Sequence, residues 1–175
     1  MEEQSEKVTI KQLGLKWGPI LGLISFAYFM VLVLTGNSQN QSISWLGLIF
    51  SIAIMIMAHK SFKDEGNGFM SFGEGFKIGA LISVISSIIS TCLTYVYIKF
   101  LDESYMEMVK EKAISDMEKK GMNEGEIDQA MEFASFFMTA EFIFIVGILM
   151  GIIMGCILAL IISAFTKKTD PSTEF

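Results

Sequence analysis

Arginine is missing from this chain: all 13 of its basic residues are lysine. Arg is the usual residue for bidentate recognition of phosphate and carboxylate. Its absence, with a formal net charge of −6, weighs against nucleic-acid or phospho-ligand binding. Histidine occurs once, at His59, and cysteine twice, at Cys92 and Cys156. There is no CxxC pair, and the single His is remote from both thiols, so a disulfide or a metal site has little basis. A Ser–His or Cys–His nucleophile would have to use His59. Patterns of the GxSxG, HExxH, Walker and Gly-rich dinucleotide kinds are all absent. The expectation is a protein without catalysis, cofactor, metal or nucleic-acid partner.

What the chain has in excess is apolar sequence. Of its 175 residues 52% are hydrophobic, and they fall in long blocks that a soluble domain of this size would not carry. A helix crosses a bilayer with about 20 apolar residues. Four spans are read on that basis, over about 13–34, 43–60, 78–100 and 142–165, within a single membrane domain 1–175. No charge occurs between Phe142 and Thr166. The polar start, residues 1–12, lacks the pattern of a secretory signal. Trp17 suits an interfacial anchor, and Trp45 the opposite interface. Pro19 is placed near the start of the first helix, where a missing N–H costs little. The stretch from Thr35 to Ser44 reads as an uncharged turn. Residues 59–77 read as a connector, with a Gly66-Asn67-Gly68 turn. Ser71 with Glu74 forms a capping box for the third span. Phe69, Phe72 and Phe76 either lie in the interface or staple that helix start.

Residues 101–141 differ in kind. Tyr105–Lys120 is a good helix former, with Met106, Val109, Ala113 and Met117 along one side and Gly121 as its stop. Asn123 with Glu126 is an N-cap pattern. Ile127, Ala130, Met131, Ala134, Phe137 and Met138 then recur at helical spacing, which predicts an amphipathic helix. The expected fold is all-α: four transmembrane helices in a bundle, with an acidic, amphipathic helical hairpin (102–141) between helices three and four. Its second arm is expected to run on into the fourth span. Lys99 to Glu141 holds 5 Lys and 11 acidic residues, which is the whole net charge of the protein. Orientation follows lysines near span ends. Lys7, Lys11 and Lys16, then Lys60, Lys63 and Lys77, then Lys167 and Lys168 place both termini in the cytoplasm and the hairpin outside.

Three ridges of small residues stand out: Gly14/Gly18/Gly22, then Gly75/Gly79/Ser83/Ser87, then Gly147/Gly151/Gly155/Ala159/Ser163. Small residues every fourth position let helix backbones approach closely. They serve either internal helix packing or a homo-oligomeric seam. The third span also carries two hydroxyl ridges, 83/87/91 and 86/90/94. These either bond helix to helix or line a polar pathway. No ionisable residue sits clearly inside a span, which argues against an ion or proton carrier. His59 is read as an interfacial helix end, and the acidic hairpin as a solvated face, since it lacks the spacing of a calcium loop.

Taken together, several stretches resemble one family. They are Lys16-Trp17-Gly18 entering the first span, His59-Lys60, and Phe72-Gly73-Glu74-Gly75-Phe76-Lys77-Ile78-Gly79. Asp102 to Tyr105, the Lys/Glu-rich run to Gly121, Glu124-Gly125-Glu126-Ile127 and Lys167-Lys168 also fit. The chain resembles the bacterial four-span membrane proteins of domain of unknown function 4199. The resemblance implies an inner-membrane protein with no established activity and transfers no catalytic residue. The leading expectation is a non-enzymatic membrane protein that acts by helix association, with itself or with a membrane-protein partner. The alternative is a small-solute channel or transporter lined by the Ser/Thr face of the third span.

Overall fold

The computed structural model describes residues 8–102 and 104–170; Lys7 and the polar end after Asp170 lie outside them. All regular elements among the described residues are helical. They are α1 (Ile10–Leu34), α2 (Gln41–Ser44), α3 (Gly47–Asp64), α4 (Phe72–Val96), α5 (Ser104–Lys119), α6 (Glu124–Ser135) and α7 (Ala140–Thr166). Four helical stretches are long and apolar enough to cross a membrane: Ile10–Leu34, Gln41–Asp64, Phe72–Leu101 and Ala140–Thr166. At 1.5 Å per residue, the 25 residues of α1 reach about 38 Å, beyond a hydrocarbon core of about 30 Å.

The helix starts follow local chemistry. Thr9 with Gln12, Ser71 with Glu74 and Asn123 with Glu126 each form a reciprocal capping box. Gly121, at φ +81°, ends α5 in the left-handed region that glycine tolerates. Thr139 caps α7 by accepting from the Phe142 N–H at 3.2 Å. That cap corrects one expectation: α6 stops at Ser135, and the chain turns before α7 begins. Pro19 is the second correction. Because α1 begins at Ile10, Pro19 is interior rather than in the first turn. The carbonyl of Leu15 therefore lacks its usual helical N–H. The second span is also longer than expected. Residues 59–64 continue α3, and the connector shrinks to 65–71.

α4 is the central helix. It runs parallel to α1, whose Gly14, Gly18 and Gly22 receive Leu81, Ile85 and Ile89 in turn. Against α7 it runs antiparallel. Gly75 meets Ser163, Gly79 meets Ala159, and Gly155, Gly151 and Gly147 meet Ser83, Ser87 and Thr91. Each four-residue step down α7 is matched by a step up α4, so small residues face small residues along five rungs. Without a hydrophobic drive between apolar helices, this closeness maximises dispersion contact. The outward surfaces stay apolar: Leu23, Ile49, Ile145, Leu149 and Ile153 are all exposed.

α4 does not end cleanly. Residues Tyr97–Leu101 form one π-helical turn, a feature the sequence pattern did not announce. Beyond it, the Asp102 carboxylate accepts from Ser104 Oγ at 2.6 Å and Tyr97 Oη at 3.0 Å. These bonds hold its pKa below the usual carboxylate value. Tyr105 then stacks edge-on with Phe29, at 5.7 Å between centroids, which ties α5 to the end of α1.

Candidate functional site

Between α1, α3, α4 and α7 lies a cavity of about 230 Å³. Its position follows from the packing just described. The glycine rungs draw α7 against the 83/87/91 ridge of α4. Ser86 and Ser90 lie on the neighbouring ridge and line the cavity with them. Ser25 of α1 and Ser51 of α3 complete the walls, so seven hydroxyls from three helices converge on one space: Ser25, Ser51, Ser83, Ser86, Ser87, Ser90 and Thr91. The remaining lining is apolar or glycine, including Leu21, Leu48, Met154 and Leu158, and no charged side chain lines the cavity.

Two of these hydroxyls are satisfied within α4. Ser83 donates to the Gly79 carbonyl at 2.7 Å and Ser86 to the Ser83 carbonyl at 3.2 Å. The other five make no hydrogen bond to a protein group among the described residues. Ser87, only 9% exposed, is one of them. A helical Ser or Thr ordinarily bonds back to its own i−4 carbonyl, and polar groups in an apolar interior call for a partner. Hydroxyls donate and accept with equal ease, so the lining suits an uncharged hydrogen-bonding occupant and selects neither sign of charge. The volume corresponds to about eight waters at roughly 30 Å³ each.

Next to the Met55 wall of the cavity the helices form a tightly packed layer. Met55, Ile82 and Ala159 are fully buried there, and a Cβ added to Gly79 would come within 2.5 Å of the Ala159 Cβ and 3.6 Å of Met55 Sδ. Beyond this layer lies a polar node. His59 is fully buried, with Nε2 2.9 Å from the Gly75 carbonyl and Nδ1 2.8 Å from Thr166 Oγ1. A carbonyl only accepts, so Nε2 carries the proton. Lys63 Nζ donates to the Thr166 carbonyl at 3.0 Å, where it caps α7. Met70 and Lys168 exchange both backbone bonds just outside. One imidazole thus joins α3, α4 and α7. The reading of His59 as an interfacial helix end is corrected: the side chain sits inside the protein. Ser163 Oγ, beside Gly75, is buried without a hydrogen-bond partner.

The small residues picked out by spacing take their places as follows. Gly14, Gly18 and Gly22 face α4; Gly79, Ser83 and Ser87 face α7; and Gly147, Gly151, Gly155 and Ala159 face α4. Within the structure, the ridges are occupied by neighbouring helices of the same chain. The sequence reading did not single out Ser25, Ser51, Thr166 or Lys63 for these roles. Ser25 and Ser51 are lone serines in apolar runs, and no periodicity marks them. Cys92 and Cys156 are both free thiols, half-buried on α4 and α7. Among the described residues, no group of three His, Cys, Asp or Glu side chains is placed to hold a metal ion.

An all-helical chain with four helices of membrane-crossing length and composition has the make-up of a membrane protein. Residues 16–168 match the family model described as "Protein of unknown function (DUF4199)", and the chain belongs to that family. No curated protein and no solved structure matches it.

Proposed function

We propose that this protein is a four-helix membrane bundle that admits a small uncharged polar solute to the hydroxyl-lined cavity and carries it across the bilayer without catalysis. The observation behind this reading is the convergence of seven hydroxyls, five without a protein partner, in a charge-free space between apolar helices. Solutes of the size of glycerol or urea fit within the volume and match the donor–acceptor character. The Met55–Gly79–Ala159 layer is the closed end of the path. α3 meets α7 there and has Ser51 and Leu48 on the cavity wall further along, so movement of α3 would open it.

In this reading the lipid bilayer is the surrounding partner and the plasma (inner) membrane the location. Both termini face the cytoplasm, and the acidic hairpin of α5 and α6 lies outside. Lysine placement supports that orientation. Lys63 and Lys168 meet α7 and the α3–α4 connector at one end of the helices, and Lys16 pairs with Glu65 there at 3.8 Å. At the other end Lys99 is engaged by Glu141. Self-association along the glycine ridge is the other reading, and it would require α7 to exchange α4 for a second copy.

The test is solute flux in proteoliposomes, followed by stopped-flow light scattering with glycerol and urea. The wild-type protein is expected to raise permeability above that of empty vesicles, and Ser87→Leu and Ser90→Leu to abolish the gain. Wild-type rates equal to those of empty vesicles for both solutes would overturn the carrier reading.

A further inference from the structure

The outer end of α7 carries apolar surface past the point where the helix begins. Phe142, in its first turn, meets Phe137 edge-on at 5.0 Å between centroids, and Phe137 meets Phe133 of α6 at a tilt at 5.2 Å. The three rings form a ladder leading from the exposed apolar face of α7 onto α6. Phe133 and Phe136 are 74% and 84% exposed, and Phe100 and Leu101, at the adjoining end of the α4 extension, are 72% and 75% exposed. The Lys99–Glu141 pair, which Tyr95 Oη joins at 3.4 Å, ties the two helix ends together at this level. Charged pairs and tyrosines mark the border between headgroup and hydrocarbon.

From this placement we infer that the C-terminal end of α6 and the turn after it lie on the membrane, with Phe133, Phe136 and Phe137 in the headgroup layer of the leaflet that the outer ends of α4 and α7 reach. The occupant is lipid because the ladder continues an apolar surface that already faces outward along α7. A large exposed aromatic cluster in water is costly, and an amphipathic helix relieves that cost by burying its apolar side about 5–10 Å into the interface. Away from Phe133 the side of α6 is acidic: Glu124, Asp128 and Glu132 are exposed there, and the helix has no lysine. Glu126 shares the face of Phe133 but stands seven residues, about 10 Å, nearer the start of the helix, so only the C-terminal end meets the lipid. The attachment is therefore apolar rather than electrostatic. It is insensitive to salt, and anionic lipid weakens it.

The experiment uses the full chain with Trp17→Phe and Trp45→Phe, reconstituted in phosphatidylcholine vesicles, with one tryptophan introduced at a time. Phe136→Trp and Phe133→Trp are expected to emit at blue-shifted wavelengths. Lipids brominated near the headgroup end of the acyl chain should quench them and aqueous acrylamide should not. Asp128→Trp, on the acidic side, is expected to behave the opposite way. Ile145→Trp, on the outward face of α7, reports whether the span itself is in lipid, so failure of the membrane reading is seen separately. With Ile145→Trp quenched by lipid, acrylamide access at both aromatic positions would overturn the inference and stand α6 in water. Blue-shifted emission that brominated lipid leaves unquenched would overturn it in favour of a protein surface. The inference also fails if added salt releases the two positions from lipid quenching.

Discussion

Moving one methyl group across the α4–α7 interface tests whether small-on-small packing holds these helices together. A Cβ added at Gly79 would lie 2.5 Å from the Ala159 Cβ and 3.2 Å from its Cα. Carbon atoms at their optimum stand about 3.5–4.0 Å apart, so Gly79→Ala forces the backbones apart by about 1 Å. Neither atom belongs to a side chain that rotates away. Overpacking of this kind typically costs about 1–3 kcal/mol. Ala159→Gly alone removes contacts and weakens α7 by up to about 1 kcal/mol. In the double variant, Gly79→Ala with Ala159→Gly, the methyl moves to the facing helix and the volume is conserved. Its stability should return to within about 1.5 kcal/mol of wild type. The resulting coupling energy would lie in the range of about 0.5–3 kcal/mol expected of residues in contact. Gly73→Ala is the control, since nothing lies within 4 Å of a Cβ there. It should leave stability unchanged or raise it by up to about 1 kcal/mol, the helix-propensity difference alone. Helicity followed through a sodium dodecyl sulfate titration in mixed micelles gives all four values. Strictly additive single effects, or a Gly79→Ala protein as stable as Gly73→Ala, would refute the close-packing argument.

Two further predictions concern the polar groups at the two ends of the spans. His59→Ala leaves the Gly75 carbonyl and the Thr166 hydroxyl without their imidazole partner. The Thr166 hydroxyl keeps its bond to the Ile162 carbonyl, so the loss is that of the imidazole's own bonds and packing. About 1–3 kcal/mol is expected in the same titration, and a loss below about 0.5 kcal/mol would show that the node is not structural. Asp102 sets an acid limit on the α4–α5 junction. Its pKa is depressed on folding by the Ser104 and Tyr97 hydroxyls. Its contribution is therefore complete above the unfolded value of about 3.9 and is lost as pH falls through the folded value. Amide protection factors over residues 104–107 should fall below about pH 4 in the wild type. Asp102→Asn should show low protection at neutral pH and little further change on acidification.

How much of this was legible beforehand depends on the range of the interaction. The caps Ser71–Glu74 and Asn123–Glu126 and the Gly121 stop lie within one helical turn of the groups they serve, and each is found where the spacing put it. The apolar spans were equally legible, because a helix must satisfy its backbone internally in an apolar medium whatever its neighbours. The boundary between α6 and α7 was not. No Gly or Pro marks it, and it rests on the cap that Thr139 provides. Nor was the extent of α1, which begins early enough to place Pro19 in its interior.

Composition and spacing along the chain were enough for its broad class, its four long apolar helices and the residues on which close helix contact is feasible. Hydropathy, capping and four-residue spacing are properties of single helices. Which ridge meets which was settled by the packing of the helices against one another. It set Gly79 on Ala159, brought Ser25 and Ser51 to the hydroxyl face of α4, and carried His59 inside among three helices. The reason is that a ridge of small residues specifies that a partner fits closely without specifying the partner. A lone serine or histidine in an apolar run gains its role only from the groups that packing places opposite it.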